Sequence, residues 1–397
     1  METGSTFEFR ICYTLFLMYF SSLTLQGFRN YKKRSFRFDQ GTTLIVGGNG
    51  SGKTNILEAV YLLAAGRSFR ARLIEEMILF DEELARISGV VIDQASGDSE
   101  QTTSLEVLLT RGELQGKRVA KRRHNIDGAF KRLSDFVGKL IVVLFRPEDL
   151  QLILGTPHMR RAFLDDLLSQ VDRDYRRSLV SYEKALTRRN RLLDAIRDEG
   201  ASRTQLAFWD QVLIKNGQVL SKKRMELIEF INTFEAEIDS FHVLYESSSI
   251  SESRLEQYAE QEVALGYTLV GPHKDDFVVL ANNKQQTTDN KSGRDLALYG
   301  ARGEQRLAVL WLKLAELSFV TEKIGESPVL LLDDIFSELD EDHRQMVLKV
   351  VGERSRAPVD ARRSPAPTGA GQTIITTTDP HLIESKYRDM FVVISLS

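Results

Sequence analysis

The spacing of apolar residues changes character repeatedly along this chain, and each change predicts an element. From Tyr19 to Val46 apolar and polar residues alternate in short runs, with turn residues at Gly27–Tyr31 and Asp39-Gln40-Gly41, which predicts two or three strands. Ile56, Leu57, Val60 and Leu63 then fall at helical spacing and Gly66 stops them, so 54–65 is expected as a helix. Between 84 and 145 alternating runs return (Ala85, Ile87, Val90; Leu105, Val107, Leu109; Leu140 to Phe145) with Gly, Asp and Asn between them. That pattern predicts an antiparallel sheet, broken at Arg146-Pro147-Glu148-Asp149.

Near residue 157 the chain becomes charged and helical. Phe163, Leu164, Leu167 and Leu168, then Leu192, Leu193 and Ile196, then Leu206, Trp209 and Leu213 predict amphipathic helices packed on one another. Phe241–Tyr245, Tyr267–Val270 and Phe277–Leu280 read as strands, Arg302–Val320 as one long helix and Val329–Asp334 as a buried strand. Glu353–Gly371 is aperiodic and rich in Arg, Pro, Ala and Gly, so a mobile surface loop is expected, followed by a final buried strand at Thr373–Thr377. The organisation is therefore a split α/β unit, 18–156 with 265–397, around a helical lobe at 157–264. Ile11–Phe20 is apolar but too short to span a bilayer, and Glu2 and Glu8 precede it. Strand-like alternation starts just after Met18, so Met18 is expected as the true first residue and 1–17 as a non-native or disordered extension.

Composition narrows the class only a little. One cysteine, Cys12, excludes a disulfide scaffold and fits a reducing cytoplasm, and six scattered histidines give no zinc spacing. A net charge of −3 provides no overall basic field, so any nucleic-acid contact has to be a local patch. The densest basic stretch is Lys117, Arg118, Lys121, Arg122, Arg123 and His124, with Lys131 and Arg132 beyond a turn. It reads either as a solvated face or as a phosphate-contact ridge on duplex DNA.

The chemistry lies in two distant segments. Leu44-Ile45-Val46 runs directly into Gly47-Gly48-Asn49-Gly50-Ser51-Gly52-Lys53-Thr54, a strand, a glycine loop and a helix start. Such a loop wraps phosphates in backbone N–H groups, with Lys53 as the countercharge and the Thr54 hydroxyl for Mg²⁺. The strand ending in Asp333-Asp334 supplies carboxylates for the other side of that metal. Together they predict an ATP site.

Further motifs carry a resemblance. Leu23–Tyr31, Gly66-Arg67-Ser68-Phe69-Arg70, Phe145–Leu150, Arg160–Asp165, Gly271–Asp276, Gly303-Glu304-Gln305-Arg306, Leu332–Asp340 and Thr376–Asp379, with the glycine loop and in this order, resemble the bacterial RecF family. The resemblance implies an ABC-type P-loop ATPase head like those of SMC and Rad50 ATPases. Its mixed sheet has flanking helices and an antiparallel subdomain, with a helical lobe inserted where those proteins have a long coiled coil. It also implies a cytoplasmic ATPase of recombinational repair and replication restart, weak and DNA-stimulated. Such a protein forms an ATP-dependent homodimer on duplex DNA near single-strand gaps and works with RecR- and RecO-type proteins to load recombinase, away from any membrane. Lys53 and Thr54, with Gly47, Asn49, Gly50 and Gly52, would hold the phosphates and Mg²⁺; Asp333 would be the metal-side carboxylate and Asp334 the water-activating acid. Arg29 and Asn30 would lie beside the nucleotide, Ala301, Gly303 and Glu304 would touch the partner's ATP, and Asp340 would belong to a loop crossing to the partner. Ala301 departs from the family's serine, whose hydroxyl helps to hold the partner-bound γ-phosphate. Two other functions compete: a scaffold that binds ATP with negligible hydrolysis, and the ATPase subunit of a membrane transporter, against which the long helical insertion stands.

Overall fold

The computed structural model describes residues 17–94, 100–235, 241–282, 293–337, 339–355 and 371–396. Its first part is β1 (Leu17–Phe28), β2 (Tyr31–Arg37), β3 (Thr42–Gly47), α1 (Lys53–Ala65), β4 (Leu84–Gln94), β5 (Gln101–Thr110), β6 (Glu113–Leu114), β7 (Lys117–Arg118), β8 (Arg122–Ile126), β9 (Ala129–Lys131), α2 (Leu133–Phe136) and β10 (Val142–Phe145). Six of these strands form an antiparallel sheet in the order β2-β1-β4-β5-β8-β9. Leu23, Leu25, Ile87, Leu105 and Val107 are buried on one face as predicted, and mainly polar side chains stand on the other; Val90 is only half-buried.

The middle of the chain holds α3 (Gln151–Leu154), α4 (Pro157–Val171), α5 (Arg173–Glu199), α6 (Leu206–Thr233), β11 (Phe241–Glu246), α7 (Glu252–Leu265), β12 (Asp276–Asn282), β13 (Gly293–Asp295) and α8 (Leu296–Tyr299). The long helices are where the pattern puts them. Tyr267–Val270, expected as a strand, has no strand pairing; Thr268 and Leu269 give their backbone N–H groups to Asn190 and Glu262 side chains instead. β11 pairs with β12, and β12 with β13, so a single small sheet crosses the boundary drawn at 264/265.

The last part is α9 (Arg302–Ile324), β14 (Val329–Asp333), α10 (Glu341–Ser355), β15 (Thr373–Thr377), α11 (Ser385–Arg388) and β16 (Val392–Leu396). A five-stranded sheet runs β10-β14-β15-β3-β16, with every pair parallel. Two expectations are corrected here. Leu140–Phe145 is not part of the antiparallel sheet, because its last four residues pair in parallel with Val329–Leu332. Thr373–Thr377 is not the last strand either, since β16 follows and pairs with β3. Of the predicted loop at 353–371, residues 353–355 close α10 and 356–370 lie outside the described residues, as do 1–16 of the expected extension at 1–17, while its last residue, Leu17, opens β1 opposite Gln94.

Strands β10, β14 and β15 are buried on both faces, which is why they read as unbroken apolar runs, whereas edge strand β16 exposes Val392 and Val393. Val143, Leu330, Leu332 and Ile375 point into a core shared with α4, α6 and α9; Val142, Leu331, Ile374 and Ile45 point into a second core under the antiparallel sheet. Helix α1 lies between the two sheets and buries Ile56–Ala64 without a break. One side chain stitches the sheets together: buried Gln372 accepts from Phe20 N–H (2.8 Å) and donates to the Phe20 and Asp39 carbonyls (2.8 Å each). Among the described residues no helix is long and apolar enough to cross a membrane.

The helical insertion is fastened by buried charge. Arg224 on α6 donates to Asp275 (2.8 Å), Asp165 (2.7 Å), the Pro272 carbonyl (2.7 Å) and the Tyr175 hydroxyl (3.0 Å). Asp275 also accepts from the Tyr245 hydroxyl (2.5 Å) and from Ser248 N–H (2.7 Å). His273, in the same turn, bonds the Thr268 carbonyl (3.0 Å) and the Tyr182 hydroxyl (2.7 Å). A carbonyl only accepts, so Nε2 carries the proton and Nδ1 accepts from Tyr182. Burial lowers the His273 pKa to about 4 and keeps the ring neutral, so this histidine is structural. The Gly271–Asp276 motif is thus a lock between α4, α5, α6 and β11. Asp275→Ala removes one of the two carboxylates that buried Arg224 binds and leaves the Tyr245 hydroxyl and Ser248 N–H without their acceptor, and is expected to remove about 3 kcal/mol of stability. A urea unfolding midpoint equal to that of the parent chain would contradict this.

Candidate functional site

Strand β3 lies between β15 and β16, and its C-terminal end opens into the glycine loop. Gly50 and Gly52 have φ of 80° and 99°, which only glycine adopts without strain. At Gly52 space is also short: a Cβ there would lie 2.6 Å from the Tyr31 hydroxyl and 2.8 Å from the Asn30 amide. Tyr31 Oη donates to the Gly52 carbonyl (3.2 Å), Asn30 reaches the Ser51 carbonyl at 3.5 Å, and Asn55 donates to Asn30 (2.8 Å). The turn after β1 therefore clamps the loop from outside, with Asn30 beside it. Lys53 arches back to donate to the carbonyls of Gly47 (2.7 Å) and Gly48 (2.9 Å), which puts its ammonium in the mouth of the loop. The helix N-terminus beneath offers N–H groups that have no partner within the helix.

The second segment arrives on β14, between β10 and β15. Asp333 Oδ1 accepts from Thr54 Oγ1 (3.0 Å), 279 residues away in sequence, and from Thr376 Oγ1 (2.7 Å) on β15. Burial raises its pKa, the two hydroxyls oppose the rise, and Glu148 and Asp334 add to it through their charge. A buried carboxylate with two acidic groups acting on it, flanked by two hydroxyls, suits a hard divalent cation. Among the described residues no three His, Cys, Asp or Glu side chains converge to hold an ion alone. The donor set fits Mg²⁺ nonetheless, since that ion commonly takes one or two carboxylate ligands and completes its shell with phosphate and water.

Asp334 follows in the left-handed region, with φ of 50°. It is held there by its own N–H on the Thr376 carbonyl (3.2 Å) and hydroxyl (3.1 Å), while Thr378 N–H points at its carboxylate (3.4 Å). A non-glycine residue in that conformation carries strain, a common feature of functional turns. Thr376 belongs to the site as closely as Asp333 does. Its signal in the sequence was slight: a threonine in a buried run, whose place beside Asp333 depends on the pairing of β14 with β15.

Other expected residues have different surroundings. Arg29, also left-handed (φ 53°), makes a forked bond to fully buried Glu58 on α1 (2.5 and 2.8 Å) and donates to the Glu76 carbonyl (2.6 Å). Ser68 and Arg70 converge on the same carboxylate at 2.5 and 3.3 Å. Arg29 thus serves a buried acid beneath the loop. Ala301 gives its N–H to Glu304 (2.8 Å), Glu304 also pairs with Arg294 on β13, and Gln305 bonds the Leu296 and Gly300 carbonyls (2.8 and 3.1 Å). These bonds anchor the start of α9 to α8 and β13, and a Cβ on Gly303 would meet open space. Asp340 binds His343 at the start of α10 and is mostly exposed; its neighbour at 338 lies outside the described residues.

The basic stretch divides. Lys117, Arg118, Arg123, Lys131 and Arg132 are exposed, and Arg123 lies over Phe130. Lys121 is paired with Glu75 (2.6 Å). Arg122 turns inward to the Gly66 carbonyl (2.6 Å), burial lowering its pKa, and His124 packs on Phe136. A continuous ridge is not formed, because alternate residues of β8 face opposite sides of the sheet.

The geometry agrees with comparison to known proteins. A family model for the RecF/RecN/SMC N terminal domain matches residues 19–359. The chain is 36% identical over 350 residues to the DNA replication and repair protein RecF of Halalkalibacterium halodurans, covering 83% of this chain and 88% of that relative. It is 35% identical over 367 residues to RecF of Halothermothrix orenii, covering 87% and 92%. A solved structure of the recombination mediator protein RecF with ATP, in the RecFOR pathway, superposes with a TM-score of 0.78 at 30% identity, covering 94% and 95% of the two chains.

The Arg29–Glu58 clamp generates a prediction of its own. Arg29→Met should lower the unfolding free energy by about 3 kcal/mol, because one partner of a buried pair is removed. ATP affinity should stay unchanged, and Arg29→Met/Glu58→Met should recover part of the stability. Calorimetric unfolding and nucleotide titration separate the roles: lost ATP binding at unchanged stability would return Arg29 to the nucleotide.

Proposed function

The chain belongs to the RecF family, and from that membership we propose an ATP-gated DNA-binding protein that closes as a homodimer on ATP and hydrolyses it slowly. At the coarse level it is an ATP-binding P-loop protein associated with DNA repair and replication. The finer reading is a role in recombinational repair and replication restart: binding duplex DNA near single-strand gaps and helping, with RecR- and RecO-type partners, to load recombinase there. The observation that carries the nucleotide part is the Thr54–Asp333–Thr376 junction, in which hydroxyl and carboxylate oxygens from three elements meet beside the loop. Family membership leaves the transporter-subunit reading without support.

In this reading Gly47, Asn49, Gly50 and Gly52 wrap the phosphates. Lys53 exchanges the carbonyls of Gly47 and Gly48 for phosphate oxygens, which moves its charge onto the group that needs it. Thr54 and Asp333 hold Mg²⁺, which when bound offsets negative charge on the phosphate oxygens. Asp334 takes the proton of the attacking water, with Thr378 N–H setting the direction of its carboxylate. Ala301, Gly303, Glu304 and Asp340 face the nucleotide of the partner copy. The family's serine hydroxyl is missing at Ala301, which weakens the closed dimer by roughly 1.5–3 kcal/mol per site.

Two measurements test these roles. Asp334→Asn should retain ATP binding and ATP-dependent dimerisation while single-turnover hydrolysis is lost, whereas Asp333→Asn should weaken Mg²⁺-dependent binding. Undiminished hydrolysis in Asp334→Asn would reject its role as base.

Ala301→Ser separates packing from function. Glu304 already accepts from the Ala301 N–H, so a serine hydroxyl would complete a capping box and stabilise the fold by about 1 kcal/mol, with or without a partner. The proposed role adds something more: stronger dimerisation in ATP and Mg²⁺ by sedimentation, abolished by Lys53→Ala. A more stable fold with an unchanged monomer–dimer constant would mean that the segment does not face a partner nucleotide.

A further inference from the structure

Strand β2 is an edge strand of the antiparallel sheet, and its sequence is Tyr-Lys-Lys-Arg-Ser-Phe-Arg. Lys32, Lys33 and Arg37 are exposed and Arg34 is half-buried, while Tyr31 and Phe36 point inward. Neither β2 nor the stretch of β1 that it pairs with, Ser22–Phe28, contains an acidic residue. Among the described residues none of the four cations has a side-chain hydrogen bond or ion pair; Arg34 lies 5.2 Å from the centroid of the Phe36 ring. This is a concentration of uncompensated positive charge in a chain whose net charge is −3.

The strand register extends it onto an open sheet face. Lys33 is opposite Gln26, Gln26 opposite Arg86, Arg86 opposite Leu108 and Leu108 opposite Arg123, all on the side away from the core. Below that row lie Ser35, Thr24, Ser88, Glu106, Asn125 and Phe130, and at the next level Arg37 and Ser22. Both carboxylates near this surface are engaged: Glu106 pairs with Arg86 (3.5 Å) and accepts from Asn125 (2.7 Å), and Asp127 accepts from Ser104 N–H (2.8 Å). What remains is mainly polar, with Leu108 and Phe130 among it, and is bordered by Lys33 and Arg37 of β2. Lys33 and Arg37 lie about 13 Å apart along the strand, a length over which duplex DNA carries on the order of eight phosphates.

We propose that β2 and the sheet face it borders are the surface on which this chain holds the phosphate backbone of duplex DNA. The proposal rests on the reading that the chain binds duplex DNA, and it moves the main contact from the Lys117–Arg132 stretch to Lys33 and Arg37, which share the outer face of β2, whereas Lys32 and Arg34 alternate onto the side of Phe36. The earlier stretch is poorer in available charge, since Lys121 is paired and Arg122 turned inward. Contacts of this kind give affinity without base specificity. β2 begins at Tyr31, whose hydroxyl bonds the glycine loop, so the DNA surface and the ATP site share one rigid strand.

Edge strands also carry lysines merely to prevent pairing with other chains. Charge reversal distinguishes the two roles, because glutamate protects an edge as well as lysine does but repels phosphate. The test is binding of a fluorescent duplex of mixed sequence to the full chain with ATP and Mg²⁺, over a range of salt. Lys33→Glu/Arg37→Glu should lose at least about tenfold in affinity at moderate salt. The neutral pair Lys33→Gln/Arg37→Gln should flatten the slope of log affinity against log salt by about 2. Lys117→Glu/Arg118→Glu should lose far less. ATP affinity and sedimentation should match the parent in all three, as these residues touch neither the loop nor the core. Parent-like duplex binding in both β2 variants overturns the proposal, and a large loss confined to Lys117→Glu/Arg118→Glu would hand the contact to the hairpin. A parent chain with no duplex affinity in any nucleotide state would remove the DNA-binding reading itself, and this inference with it.

Discussion

A carboxylate held out of water at the end of a central strand is the constraint around which the nucleotide site is organised. Asp333 has burial and two acidic neighbours working against its charge, and only hydroxyls, from Thr54 and Thr376, bonding to it. Three elements must therefore end at one point: the first turn of α1, β14, and β15. Parallel pairing brings this about, because the C-terminal ends of neighbouring strands open on the same edge of a sheet, where ligands of open α/β sheets are bound. The position of α1 follows, since a helix sandwiched between two sheets can neither tilt nor slide without opening one of the cores.

Burying α1 so completely places Glu58 in the interior, and the chain answers with Arg29, Ser68 and Arg70. The turn between β1 and β2 is thereby pinned both to the loop, through Asn30 and Tyr31, and to the helix behind it, through Arg29. Two sequence motifs far from each other share one physical task, the neutralisation of a single carboxylate. The same economy operates in the helical insertion, where the Gly271–Asp276 turn and Arg160–Asp165 are linked by Arg224 and by the forked bond from Arg160 to Asp276 (2.6 and 2.8 Å). Because each donor of Arg224 finds a matched acceptor, this turn has one way to dock, and the insertion is packed firmly onto the head.

Charge on this molecule is arranged locally. With a net charge near zero, long-range steering is weak and a binding surface depends on where cations are left without partners. Some arginines of the helical insertion are spent internally: Arg176 on the Ser134, Val137 and Ser169 carbonyls, Arg189 on Asp210 and Glu262. The antiparallel sheet differs, because its edge strand β2 and the stretch of β1 beside it carry four cations and no acid.

Much of the fold was legible in the sequence wherever burial is one-sided. Strands β1, β2, β4 and β5 and helices α4 to α6 show their periods because each has a wet face, and the glycine loop announces itself because its conformation demands glycine at fixed places. The parallel strands were legible as elements but not as partners: an apolar run buried on both faces has no phase, so nothing in Leu140–Phe145 told parallel from antiparallel pairing. Roles that depend on direction were beyond the sequence for the same reason. Arg29 and Lys33 are both cations on neighbouring strands, yet one is drawn under α1 by a buried glutamate and the other stands in solvent. Lys53, Thr54 and Asp333 were singled out by residue type and spacing alone. That Thr376 completes their cluster, and that Arg122 leaves the basic ridge, was decided only when strand pairing fixed which side chains share a face.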